Sequence, residues 1–109
     1  MPKINILLTY DYELPLGGVY GTFEQSLFEP TETLLSLANR LKVPLNFFAD
    51  VLSYEKFSSL QRTDFTTPFA NQLAAAYQQG HDVQLHLHPH WMDTKIVGNQ
   101  FFPSNKYGL

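Results

Sequence analysis

Ile4-Asn5-Ile6-Leu7-Leu8-Thr9-Tyr10 is almost continuously apolar and rich in β-forming residues. Such a run suits a strand buried on both faces, as in a parallel sheet, better than a half-exposed strand with alternating polarity. Working outward, Leu45-Asn46-Phe47-Phe48-Ala49-Asp50 reads as a second short buried strand, and Asp82-Val83-Gln84-Leu85-His86-Leu87 as a third. Between the first two lies a loop from Asp11 to about Phe28, punctuated by Pro15, Gly17, Gly18 and Gly21. Glu29 and Pro30 then open a helical pattern with Leu34, Ala38 and Leu41 at i, i+4 and i+7, which Pro44 stops. Ser53 is placed to cap a short helix carrying Phe57 and Leu60. A stronger helix has Thr67 as N-cap, Pro68 in its first position, an apolar stripe of Phe69, Leu73, Ala76 and Tyr77, and Gly80 as its stop. From Pro89 the pattern weakens, and Gly98 to Leu109 reads as loop.

The sum is an α/β chain, β-α-β-α-β, with helices of a length that suits crossovers between parallel strands. Parallel sheets need both faces covered, and three strands with two or three helices cover them poorly. Residues 1–109 are therefore expected to form one part of a larger doubly wound sheet or barrel. Composition narrows the functions. The 109 residues are 44% hydrophobic and only 16% charged, which argues against disorder. A net charge of -3 offers no basic face, so neither nucleic acid nor an anionic membrane is an expected partner. No apolar run approaches the ~20 residues of a membrane span, and Met1–Tyr12 lacks the layout of a signal peptide, which favours the cytoplasm. With no cysteine, thiol nucleophiles and Cys-ligated zinc are excluded.

In α/β architectures ligands meet the carboxyl ends of the strands. Here those ends carry Asp11 and Glu13, then Asp50, then His86, His88 and His90. Carboxylates and imidazoles converging on one rim are what a divalent metal site requires. An acid after a strand is commonly a solvated loop residue or a helix cap, and Asp50 is read that way. The histidines are harder to explain as packing, because each buried imidazole needs a polar partner. His81, just after Gly80, reads as a helix-end or supporting group. On an extended strand His86 and His88 share a face about 6.6 Å apart, whereas His86 and His90 lie about 13 Å apart. A turn at Pro89 brings His90 back to the i, i+4 spacing of a helical ligand pair. His86 with His90 is the preferred pairing, with His88 facing away or in support.

Two stretches carry a family resemblance. Thr9-Tyr10-Asp11-Tyr12-Glu13 resembles the first motif of the polysaccharide deacetylase (NodB-homology, carbohydrate esterase) family, in which a Thr-Phe-Asp-Asp segment ends the first strand. Gly80-His81-Asp82-Val83-Gln84-Leu85-His86-Leu87-His88-Pro89-His90 resembles its second motif, a Gly-His-Glu-Ile type strand ending in His-x-x-x-His. The helix and Val43-Pro44-Leu45-Asn46-Phe47-Phe48 between them are similar to the family's first helix and second strand. The resemblance implies the N-terminal part of a (β/α)7-type barrel, with Asp11 as catalytic base and His86 and His90 as metal ligands. The family's metal-binding acid follows the base directly; Tyr12 stands there in this chain, and Glu13 is the substitute. Tyr12 and Trp91 would flank the site and stack on a sugar. The implied chemistry is zinc-dependent removal of N-acetyl groups from a glycan or related amide, with cobalt or nickel as other ions. The family's later motifs, including its general acid, have no counterpart here, so the rest of the barrel is expected beyond Leu109.

Two other readings compete. An amidohydrolase-type metal hydrolase would use His86-Leu87-His88. A non-catalytic carbohydrate-binding or interaction module would keep the fold with a degenerate site.

Overall fold

The computed structural model describes residues 1–16 and 21–103. Gly17 and Gly18 of the first loop, and residues 104–109 of the terminal one, lie outside the described residues. Three parallel strands form the sheet in the order β1 (Thr9–Tyr12), β2 (Asn46–Asp50) and β3 (Asp82–His86). Helix α1 (Glu29–Leu41), entered through a π-helical turn at Glu24–Phe28, connects β1 to β2. Helices α2 (Val51–Ser59) and α3 (Thr63–Gln78) connect β2 to β3. The expected βαβαβ order is therefore present, as a mixed α/β unit around a three-stranded parallel sheet.

Both long helices lie on one face of that sheet. Tyr10 and Tyr12 of β1 stand beside Phe47 of β2, with ring centroids 5.6 and 6.2 Å apart. Thr31 of α1 donates to the Tyr10 hydroxyl at 3.1 Å, and the Tyr12 hydroxyl donates to Gln72 of α3 at 2.8 Å. The core is largely aromatic: Phe57 of α2 meets Phe65 of α3 at 4.4 Å, and Trp91 meets Phe57 at 5.8 Å and Phe101 at 4.6 Å. Buried rings of this size dominate the apolar surface removed from water. The opposite face of the sheet carries exposed Thr9, Asp11, Asp82 and Gln84 around half-buried Phe48.

Several expectations are corrected. The Ile4–Tyr10 strand begins only at Thr9; Ile4, Ile6 and Leu7 are 85%, 78% and 78% exposed. Leu8 carbonyl still accepts the Asn46 amide at 2.9 Å, but the neighbour upstream is Pro44, which has no N–H to offer. Without a paired strand the apolar run has nothing to ladder against. Helix α3 starts four residues before Thr67, so Pro68 sits inside it. Leu41, Leu60 and Tyr77, assigned to buried stripes, are exposed, while Leu35 and Phe65 take core positions. Beyond Pro89 the chain is not all loop. A 3₁₀ turn, Pro89–Asp93, is followed by an antiparallel hairpin, β4 (Lys95–Val97) and β5 (Gln100–Phe102). Its two-residue turn is Gly98-Asn99, with Gly98 at φ +62°, a conformation that favours glycine.

Candidate metal centre

The parallel register brings three strand ends to one rim. Asp50 closes β2 directly opposite His86 of β3, and Glu13 follows β1 immediately. Strand alternation puts Glu13 and His86 on the open face, away from the helices. Glu13 Oε2 lies 2.6 Å from His88 Nε2 and 2.9 Å from His86 Nε2. The two imidazole rings approach edge-on at 4.6 Å. One ligand-type atom from each of Glu13, His86 and His88 falls within 4.8 Å of the other two, and all three side chains are half-buried. Two ring nitrogens and a carboxylate oxygen facing a common point is a ligand set for a divalent ion with a position left open.

Hydrogen-bond bookkeeping singles out the same place. Among the described residues, the buried side-chain polar atoms with no hydrogen-bond partner are Asp50 Oδ1, His86 Nε2, and Nδ1 and Nε2 of His90. His86 Nε2 is close to Glu13, yet the pair lacks hydrogen-bond alignment. Buried polar groups are nearly always satisfied, so the unpartnered His86 Nε2, with Asp50 Oδ1 opposite it in register, marks a place kept for something other than packing. The residues present therefore fit a cation.

The residues singled out from sequence fall into three groups. Glu13, His86 and His88 come together, so His88 is an inward-facing member of the cluster rather than a supporting one. His90 is next to it but is not one of the three residues at ligand spacing. The turn at Pro89 forms as anticipated, but as a 3₁₀ turn that packs His90 into the core at 1% exposure, its ring 5.0 Å from Trp91 and 5.6 Å from His88. Burial, with His88 beside it, pulls the His90 pKa below its ordinary value. Asp11 is exposed in the middle of β1, in register with Phe48, and is outside the cluster. Tyr12 and Trp91, expected to stack on a sugar, are both fully buried, so neither presents a ring face to a ligand. Burial pushes the Tyr12 phenol well above its ordinary pKa.

Asp50 is the residue that sequence reasoning passed over. It is fully buried rather than a solvated loop acid, and Trp91 Nε1 donates to its Oδ2 at 2.6 Å. Burial raises its pKa, opposed chiefly by that indole N–H. The available signal was its position as the polar end of an otherwise apolar strand. His81 is a structural group at the other end of β3: its Nδ1 accepts the Leu45 amide at 3.0 Å and its Nε2 lies 2.7 Å from Asn39 Oδ1. A cleft of about 470 Å³ next to it, lined by Asn39, Lys42 and Gln79, holds no other candidate residue.

Comparisons with protein-family models, with curated proteins and with solved structures each return no match. No helix among the described residues is long and apolar enough to cross a membrane.

Proposed function

We propose that this chain is a metal-dependent hydrolase in which Glu13, His86 and His88 hold one divalent ion, with zinc preferred and cobalt or nickel as alternatives. The observation that supports it is the convergence of Glu13 Oε2 with two imidazole Nε2 atoms at 2.6 and 2.9 Å on the carboxyl rim of the sheet. A zinc ion with three such ligands supplies Lewis acidity and lowers the pKa of a bound water. Glu13 brings the negative charge, and the two histidines are neutral when they ligate. The half-exposed edge of the group leaves an approach for substrate from the open face of the sheet.

The substrate class proposed is an amide, an N-acetyl group on a glycan in particular. Its support is the order of the two motifs, Thr9–Glu13 and Gly80–His90, which resembles that of polysaccharide deacetylases. The same resemblance underlies the finer architecture proposed, a (β/α)7-type barrel, and the open face of the sheet suits it. The His86–His88 pairing favours a second reading, an amidohydrolase-type site, in which the amide need not be an acetyl group. Acetate release from N-acetylglucosamine oligomers by zinc-loaded protein separates the two. Turnover that disappears in His86→Ala supports the deacetylase reading. Zinc binding without acetate release removes it and leaves the other amides to be tried.

A further inference from the structure

The geometry points to Asp50 as the group that takes the proton from the attacking water, held in place by Trp91; this rests on the metal reading above. Asp50 ends the central strand, between β1, which Glu13 follows, and β3, which carries His86. It opposes His86 in the register and is not one of the three residues at ligand spacing, which leaves it free for a role other than ligation. Its two oxygens are in different states. Oδ2 is fixed by the Trp91 indole at 2.6 Å, and Oδ1 is buried with no partner. Trp91 in turn is immobilised among Phe57, Phe101 and His90. A carboxylate oriented through one oxygen and unengaged at the other is prepared to accept a proton in a defined direction.

Asp11 has none of these features, being exposed and outside the cluster. In the step proposed, Asp50 Oδ1 takes a proton as the water oxygen bonds to the acyl carbon and the carbonyl π pair moves to oxygen. When the C–N bond breaks, the nitrogen keeps the bonding pair and receives that proton from Asp50. The oxyanion pair re-forms the carbonyl, and the products are a carboxylic acid and an amine. These exchange the acid's proton to leave as carboxylate and ammonium, and Asp50 returns to its starting state. Trp91 is a positioning residue, since it acts through Asp50.

The test uses the full chain and acetohydroxamate, a metal-binding amide analogue whose polar hydrogens seek a neighbouring carboxylate. Zinc affinity and acetohydroxamate affinity of the zinc-loaded protein are measured by calorimetry for wild type, Asp50→Asn, Trp91→Phe and His86→Ala. Asp50→Asn is expected to keep zinc binding, weakened by no more than about tenfold, and to bind acetohydroxamate more weakly than wild type by a clearly larger factor. Its acetate-releasing turnover falls by about 100-fold or more. Trp91→Phe, which frees the carboxylate without removing it, is expected to weaken acetohydroxamate severalfold with zinc affinity kept. Loss of zinc in Asp50→Asn overturns the assignment by making Asp50 a ligand; unchanged acetohydroxamate affinity overturns it too. Should Asp50→Asn not fold, unchanged acetohydroxamate affinity in Trp91→Phe overturns it. Full zinc affinity in His86→Ala is a separate outcome, and sinks the metal reading itself.

Discussion

Replacing His90 by phenylalanine separates the two ways of choosing ligands. His90 is 1% exposed and neither ring nitrogen has a partner. Each buried unsatisfied group costs about 1–3 kcal/mol, so two at the low end give about 2 kcal/mol that an apolar ring recovers. The larger ring gives back about 1 kcal/mol through overpacking. The net expectation is a gain of about 1 kcal/mol at pH 8, or about 5 °C in Tm for a domain of this size. The pH dependence follows from the lowered pKa of His90. Because the unfolded ring protonates near its ordinary value and the folded ring resists, stability from the neutral ring is complete above about pH 6.5 and is lost as pH falls below it. The loss is at most about 1.4 kcal/mol per pH unit, and His90→Phe removes it. The assay is thermal unfolding with a chelator at pH 8.0, 6.5 and 5.5, paired with zinc titration at pH 8. The variant should be the more stable protein, increasingly so in acid, and its zinc affinity should stay within about threefold of wild type. Destabilisation at pH 8 by more than about 1 kcal/mol would mean that the ring nitrogens are satisfied. Loss of zinc binding would restore the His86–His90 pairing.

Further expectations concern the fold and the centre. Phe57→Ala, which empties the junction between Phe23, Phe65 and Trp91, should cost about 3–5 kcal/mol, measured by urea unfolding. A loss below about 1 kcal/mol would show that this aromatic junction is not the core. Lys42 ends α1 at φ +55°, so Lys42→Gly should raise stability by about 0.5–1 kcal/mol, and a decrease would contradict the left-handed cap. Zinc at about 100 times its Kd should stabilise the wild type by about 2.7 kcal/mol, with little or no effect on Glu13→Gln. An equal rise in Tm for both proteins would place the ion elsewhere.

How far the sequence speaks depends on what each residue needs from its neighbours. The parallel order was legible because Leu45–Asp50 and Asp82–Leu87 are short β-forming runs separated by helical stretches of crossover length. Apolarity alone extends the first strand back to Ile4, whereas β2 is too short to pair with Ile4–Leu7. The hairpin was missed although Gly98-Asn99 between Lys95-Ile96-Val97 and Gln100-Phe101-Phe102 carries a hairpin signature. At the centre, Glu13, His86 and His88 were all recognised as strand-end groups. Which histidines meet Glu13 is not legible, because it depends on whether the turn at Pro89 swings His90 toward the rim or into the core. Spacing cannot answer that; the pull of Trp91 into the aromatic cluster does, taking His90 with it. The burial of Asp50 has the same origin, since its partner is the Trp91 indole 41 residues away.

The proposed function requires the binding of one divalent ion by Glu13, His86 and His88. Its most direct measurement is competitive zinc titration of the wild type against Glu13→Gln, His86→Ala and His88→Ala, each checked for folding by circular dichroism. One zinc per chain is expected, with affinity weakened by about 100-fold or more in every variant. A wild type that takes up no zinc, or a His88→Ala protein that binds it as tightly as the wild type, would contradict the claim.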